Sequence, residues 1–476
     1  MAPAISDESS KRLPVEQIEF VLEKGPAQHD PTAPDPQPHD WPLYRNDRWR
    51  SGSATAAGPK NIEQRWIVSL DSHSVARAKQ SGAILNDWED NPVVKGPVSA
   101  PTIANGIAYV TRPNSHELIA IETSGGNEVW RFTANGRLDT PPAIHRGLCL
   151  FGSADGWVYA LRSDSGEVVW RLRAALSDER IVAYGQVESP WPVPGAVLVM
   201  DGVAYFAAGR QPLADGGILV FAVDPLTGER HWVKRISTVP QRGFYENSGL
   251  EFDPFDILHA EGDGLAMSRW VLSLDGKDIA VDKWNAFAKL NTGGGDVWVP
   301  RGSWTYGARH QHRFRGEAPR RPLVVFRDDK VYSSLNGSTN VFCRDFNLED
   351  GEKFDSKWIT GWKASQTARE NGKPYRTYRI AEGAKWSVDP FSDASQPVEE
   401  TQPGTQLHNR IHAMALANDG KLFVVHQDGR LKVISTVDGK VLSESRLPAP
   451  AWDGLAIAEN RLFLTTQDGE LLCLGE

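Results

Sequence analysis

Along most of this chain, short apolar runs alternate with polar positions and are broken by Gly-containing turns. This pattern predicts β-hairpins rather than helices. PTIANGIAYVT at 101–111 places Asn105-Gly106 between two such runs, a two-residue turn in which both positions tolerate positive φ. The layout returns in AIHRGLCLFGS at 143–153, VLVMDGVAYFAAG at 197–209, ALANDGKLFVVH at 415–426 and LAIAENRLFLTT at 455–466. PLVVFRDDKVYSSL at 322–335 fits with a non-Gly turn, and ILHAEGDGLAMSRW at 257–270 is a degraded copy. A second turn often follows, as at Asp155-Gly156, Asp428-Gly429 and Asp468-Gly469.

The hairpins belong to a larger repeat. AIETSGGNEVW at 120–130 returns as ALRSDSGEVVW at 160–170, as FAVDPLTGERHW at 221–232 and more loosely as VISTVDGKVLSE at 433–444. A supersecondary unit recurring at about 40 residues signals a solenoid or propeller. Each unit reads as four antiparallel strands, a propeller blade whose outer strand carries a Trp: Trp130, Trp170 and Trp232. These Trp are read as blade core, not as a substrate platform. Counting units predicts an all-β single propeller of about seven blades, near 97–135, 139–175, 192–237, 247–300, 303–390, 408–446 and 450–476. Eight result if 351–407 contains a further degenerate unit. The last unit stops at its third strand, ELLCLGE, whereas EQRWIVSL at 63–70 supplies an unclaimed strand with Trp66 in the blade-closing position. The N-terminal strand is therefore expected to complete the last blade and close the ring.

Residues 1–40 are read as a disordered or extended Pro-rich arm preceding a propeller over 41–476. Within it, LPVEQIEFVLEKG at 13–25 has the spacing of a short amphipathic helix with Val15, Ile18 and Leu22 on one face. Regular structure is expected from about Trp41. Long insertions fall at 71–96, 175–191, 236–256 and 351–407, of which 389–406 reads as disordered.

Composition agrees with a turn-rich β protein: 476 residues, 40% hydrophobic, with 43 Gly, 31 Pro and 17 Trp. A formal charge of −9 speaks against general nucleic-acid binding, and no apolar run is long enough to span a membrane. The N-terminus has no apolar stretch of a secretory signal, which implies either a cytosolic protein or a trimmed start. Cys149, Cys343 and Cys473 are too few and too dispersed for a disulfide framework and are expected as buried thiols.

The A(x)D(xx)TG(xxx)W hairpins resemble the repeat of PQQ-like (pyrroloquinoline-quinone-like) β-propellers. That superfamily includes quinoprotein alcohol dehydrogenases and the propeller lipoprotein of bacterial outer-membrane protein assembly. DWPLYRNDRWRSG at 40–52 and APAWDGLAIAENRLFLTTQDGELLCLGE at 449–476 resemble the opening and ending of a branch found in planctomycete-type bacteria. The resemblance covers residues 40–476, more weakly in 236–320 and 351–407. Members of that branch are typically exported, which implies an extracytoplasmic location if the start is trimmed. The resemblance to the dehydrogenases implies a quinone held between a Trp face and an adjacent-Cys disulfide, beside Ca²⁺, with an Asp as base. No two cysteines are neighbours here, and no Asp, Glu and Asn cluster reads as a calcium loop. No cofactor is therefore expected; PQQ and Ca²⁺ belong to the alternative reading.

Other chemistry is sparse. HQH at 310–312 and the pair His408 and His412 lack the three or four converging ligands zinc needs. TGGGDVW at 292–298 leads into a strand, not the helix N-terminus that would favour phosphate. The densest charge is RGSWTYGARHQHRFRGEAPRR at 301–321, where Arg309, His310, Arg313 and Arg315 stand among Trp304 and Tyr306. Guanidinium groups beside aromatics suit carboxylates, phosphates or acidic glycans, although a solvated loop has the same composition. Trp452 and Asp453 precede the last blade's first strand, and Trp191 stands at the equivalent start of the third; both places lie near the channel. The sequence thus describes a non-catalytic scaffold for a protein or glycan partner. The alternatives are a quinoprotein oxidoreductase and the propeller portion of a larger protein.

Overall fold

The computed structural model describes residues 14–70, 98–183, 186–210, 215–237, 258–261, 264–267, 270–278, 323–328, 330–334, 339–345, 384–392 and 410–476. Within them the fold is a β-propeller, and none of its helices is long and apolar enough to cross a membrane. Blade 1 sets the pattern: Thr102–Ala104, Ile107–Arg112, Glu117–Glu122 and Glu128–Thr133 pair in chain order as an antiparallel meander. Blades 2 (143–173), 3 (198–236), 5 (324–388) and 6 (411–446) repeat it, and three strands of blade 4 (259–273) are described.

Blade 7 is built from both ends of the sequence. Pro450–Ala458, Arg461–Thr466 and Glu470–Leu474 are completed by Gln64–Ser69, with Trp66 opposite Cys473 and Val68 opposite Leu471. Shared apolar cores join blade 7 to blades 6 and 1, blade 1 to 2, blade 2 to 3, blade 3 to 4 and blade 5 to 6.

The Trp of an outer strand joins each blade to the next by one repeated contact. A Cβ on Gly126 would lie 2.9 Å from the Trp66 ring, and Gly166, Gly228 and Gly276 meet Trp130, Trp170 and Trp232 in the same way. Each indole N–H also donates to a carbonyl of the turn it covers: Trp66 to Thr123 at 2.9 Å, Trp130 to Ser163 at 2.9 Å, Trp170 to Pro225 at 3.0 Å and Trp232 to Leu274 at 2.9 Å. The glycine of the TG turn is thus required twice, for its left-handed φ and for the flat seat it offers the ring. Trp386 makes a fifth such contact, on Gly439 and the Thr436 carbonyl (3.0 Å), which the repeat pattern does not reveal.

The N-terminal arm departs from expectation. The described residues 14–25 do not form an amphipathic helix: a single 3-10 turn, Val15–Gln17, leads into an extended chain and the strand Leu22–Lys24. That strand pairs with the outer strand of blade 2, Leu22 opposite Leu172, so regular structure begins well before Trp41. An open sheet edge offers hydrogen bonds that an isolated short helix would have to do without, and this favours the extended form. The segment 389–406, expected to be disordered, lies outside the described residues from 393 onward. Cys149, Cys343 and Cys473 are buried free thiols in three different blades.

Candidate functional site

A propeller's innermost strands leave a free edge toward the channel. Here residues 39–58 run along those edges as a belt and touch all seven blades. Trp41 exchanges backbone hydrogen bonds with Ile103 of blade 1 (2.8 and 2.9 Å), and the Pro42 carbonyl accepts from Ile144 of blade 2 (2.9 Å). The Arg48 carbonyl accepts from Ala260 of blade 4, and the Ser51 carbonyl accepts from Phe326 of blade 5. Gly52 and Ala54 bracket Leu416 of blade 6, and the His39 carbonyl accepts from Glu459 of blade 7. Blade 3 is reached by a side chain, Arg50. The tight path is set by left-handed residues, Arg45, Asn46, Arg50 and Gly52, a conformation that bends the chain at a cost in strain for the non-glycines.

Two buried guanidinium groups fasten the belt. Arg50 donates to the carbonyls of Tyr44 (3.2 Å), Ala196 (3.3 Å), Val197 (3.2 Å) and Leu258 (3.3 Å). Arg45 donates to the Arg50 carbonyl (3.1 Å), to the Val324 carbonyl and to Asp453 at 2.6 Å. Asp453 also accepts from the Tyr44 hydroxyl at 2.7 Å; burial above all, and then the Asp453 charge, pushes that phenol well above its ordinary range. Asp453 reaches the belt because its strand bulges between Pro450 and Leu455, with Asp453 itself at φ 54°. Asp47 organises the belt internally, accepting from the Trp49 and Ser51 amides, and burial raises its carboxyl against those bonds.

The belt contacts cluster at the ends of the inner strands that lead into the first hairpin turns. The opposite end of the propeller carries the connections between blades. Three segments outside the described residues, 71–97, 238–257 and 393–409, link consecutive blades there, and the 174–197 connection is described, whereas residues 346–383 leave blade 5 at the belt end, where Asp345 stands opposite Lys330. A second buried charge cluster holds this end. Arg137 pairs with Asp139 (2.5 Å) and with Glu188 (2.5 Å), whose other oxygen takes Arg210. Burial raises the Glu188 carboxyl, opposed by the two arginines. Asp155 lies beneath, accepting from Tyr159 at 2.5 Å, and is likewise raised by burial. The hairpin 181–188 projects from the cluster with Val182 and Val187 directly opposed and exposed.

The expected site residues separate into three groups. Trp452 lies edge-on to His412 at 5.5 Å, and Asp453 belongs to the belt clamp. Trp191 is fully buried at the opposite end, its indole N–H bonded to the Asp215 carbonyl. Trp304, Tyr306, Arg309, His310, Arg313 and Arg315, with the spacings at 292–298 and 310–312 and His408, lie outside the described residues. The sequence pattern does not reveal the Arg45, Arg50 and Asp453 clamp or the Arg137, Glu188 and Arg210 cluster. The only signal for the clamp is the dense DWPLYRNDRWRSG phrase itself.

The described residues do not fit the equipment of a quinone site. The three thiols sit in separate blades, so no adjacent-Cys disulfide can form. The buried carboxylates Asp453 and Glu188 are engaged by arginines, and the described residues hold no cluster of three metal-ligating side chains.

Comparison with known proteins places these repeats. Residues 49–248 match the family model of the outer membrane protein assembly factor BamB. A quinoprotein ethanol dehydrogenase of Pseudomonas aeruginosa is 27% identical over 212 residues, 41% of this chain and 32% of that protein. The dehydrogenase subunit of a quinone alcohol dehydrogenase from Gluconobacter oxydans is 29% identical over 52% of this chain and 30% of its own length. The matched stretch thus spans about a third of these curated relatives. Among solved structures, BamB from Moraxella catarrhalis aligns over 87% of this chain and 98% of its own at 14% identity, TM-score 0.37. Quinohemoprotein alcohol dehydrogenase from Comamonas testosteroni aligns over 92% and 81% at 12% identity, TM-score 0.44.

Proposed function

We propose that this chain, a protein of the PQQ-like propeller repeat family, is a non-catalytic scaffold that holds a protein or glycan partner at the end of the propeller carrying the connections between blades. The observation that supports this most is the contrast between the two ends. A belt bonds one end to every blade, while the segments that link consecutive blades, 71–97, 238–257 and 393–409 among them, join at the other. Ligand-binding groups on propellers are carried by loops on a rigid ring, and the connections between blades offer such loops here. The match to an assembly-factor family model agrees with a scaffold. The dehydrogenase names of the curated relatives favour a second reading, quinone-dependent oxidation. Against it stand the dispersed thiols and the arginine-paired carboxylates.

Loading the purified chain with PQQ and Ca²⁺ and assaying dye-linked alcohol oxidation separates the two. Saturable quinone binding with turnover overturns the scaffold reading. On the scaffold reading, a partner retained by affinity capture from the native host is lost on Arg309→Glu/Arg313→Glu. Unchanged retention removes the Arg-rich segment from the binding surface.

A further inference from the structure

The outer face of blades 2 and 3 already contains an occupied docking groove. Blade 2 has its four strands and Trp170 has its seat on Gly228 before the N-terminal arm is counted. The arm then adds a fifth strand, with Leu22 opposite Leu172, Glu23 opposite Arg171 and Lys24 opposite Trp170. Phe20 meets Phe221 of blade 3 edge-on at 4.9 Å, with the Arg230 guanidinium 5.2 Å from its ring. Glu23 pairs with Arg171 at 2.5 Å, and the Lys24 ammonium donates to the Thr227 carbonyl at 2.6 Å. Gly25 lets the arm lie flush, since a Cβ there would stand 1.9 Å from the Val168 carbonyl oxygen. The result is visible at the blade-joining Trp: Trp170 is 0% exposed under the arm, whereas Trp130 is 8% exposed and Trp66, Trp232 and Trp386 are only partly buried.

We infer that this groove is an exchangeable site, and that its occupant in trans is the same arm, residues 15–29, from a second copy of this chain. The groove reads a specific chemistry, an aromatic, an aliphatic and a glycine in one extended segment, and the arm supplies it. The strand contacts and the Phe20 anchor lie on blades 2 and 3 and none lies on the belt, so a second copy's arm re-makes them identically. Exchange of an identical element is a low-cost route to a dimer. The connection to the belt contains Pro31, Pro34, Pro36 and Pro38. Such a segment is a semi-rigid spacer that rises about 3.1 Å per residue, giving its eight residues a reach of roughly 25 Å. It forms no strand pairing and rests on blade 2 through side chains: His29 to the Arg146 carbonyl at 2.9 Å, Arg162 to the Gln28 carbonyl at 3.3 Å, Ala33 against Gly147 and Asp35 beside His145 at 3.8 Å. An emptied groove exposes Trp170, Val169 and Leu172 to water, which favours refilling by whichever arm is near.

Cysteine trapping in the full chain tests this. Leu22→Cys and Leu172→Cys are placed in separately tagged chains, mixed at high protein concentration and oxidised. A variant with both changes in one chain shows that the bond can form. Exchange predicts a disulfide joining the two tags, with a yield that rises with protein concentration. It also predicts a dimer in light scattering of the unmodified chain that is lost in Phe20→Ala. If only the doubly substituted chain links, and it links only to itself, while the unmodified chain shows one monomer mass at every concentration, the inference is wrong.

Discussion

The clamp that fastens the belt gives the sharpest quantitative expectation. Asp453→Asn keeps an acceptor for the Tyr44 hydroxyl and suits the left-handed backbone at φ 54°, so it removes little except the charge. Arg45, whose side chain is 2% exposed, is then left buried without its carboxylate. Removing one partner of a buried pair costs about 3–5 kcal/mol. The carbonyls of Arg50 and Val324 still accept from Arg45, which places Asp453→Asn near the lower end, at about 3 kcal/mol. Arg45→Met should cost at least as much, because it strands Asp453 and also releases two carbonyls. The double variant should lose less than the sum of the two, with a coupling of about 1–3 kcal/mol. Urea unfolding followed by Trp fluorescence and far-UV circular dichroism measures these values. Amide exchange gives the local readout: the Ala54, Phe326 and Leu416 amides, bonded across belt and blade, should lose protection first. Lys440→Ala, in an exposed pair with Asp438, is the control and should leave stability unchanged. Strict additivity of the two clamp variants, or losses below about 1 kcal/mol, would refute a clamp in which the charge pair itself holds the belt.

The remaining expectations concern the blade seats and the buried charges. Gly228→Ala should destabilise by more than about 2 kcal/mol, since it adds a clash with Trp170 and Leu22 at 2.8 Å to the strain of φ +74°. Gly106→Ala, at φ +78° with its nearest neighbour 4.0 Å away, should show the backbone strain alone, about 1 kcal/mol in the same unfolding assay. Glu188→Ala leaves Arg137 and Arg210 without their shared carboxylate and should cost about 3–5 kcal/mol, with faster amide exchange at Ser189. Burial works to raise the Asp428 carboxyl, but the Arg430 amide and His426 outweigh it and hold it down at about 2. Its folded value lies below its unfolded one, so its contribution is present above about pH 4 and is lost as pH falls toward 2; Asp428→Asn should flatten acid unfolding over that window.

Which parts of this molecule are legible in the sequence depends on the range of the forces involved. Strand alternation, Asn105-Gly106 and the Gly-x-x-x-Trp spacing are local, so the blades and the closing role of Gln64–Ser69 follow from the sequence alone. Trp386 obeys the same rule but is hidden, because its outer strand lies more than 40 residues beyond the third, so no Gly-x-x-x-Trp turn precedes it. The arm eludes the sequence pattern for a different reason. Val15, Ile18 and Leu22 have helical spacing, yet the edge of blade 2 and the Phe221 ring decide their conformation, and neither is near in sequence. The belt lies furthest from sequence logic. It has no periodicity, it is held largely by carbonyls that any sequence would provide, and its buried charged partner, Asp453, is some 400 residues away. Arginine is suited to that situation because its planar fork can satisfy several carbonyls at once and still reach a carboxylate. A ring whose blades are defined locally thus depends for its central fastening on contacts that only the folded ring brings together. The clamp and the blade seats should therefore fail separately: Asp453→Asn should free the belt while the Trp seats persist, and Gly228→Ala should loosen one seam while the belt amides stay protected.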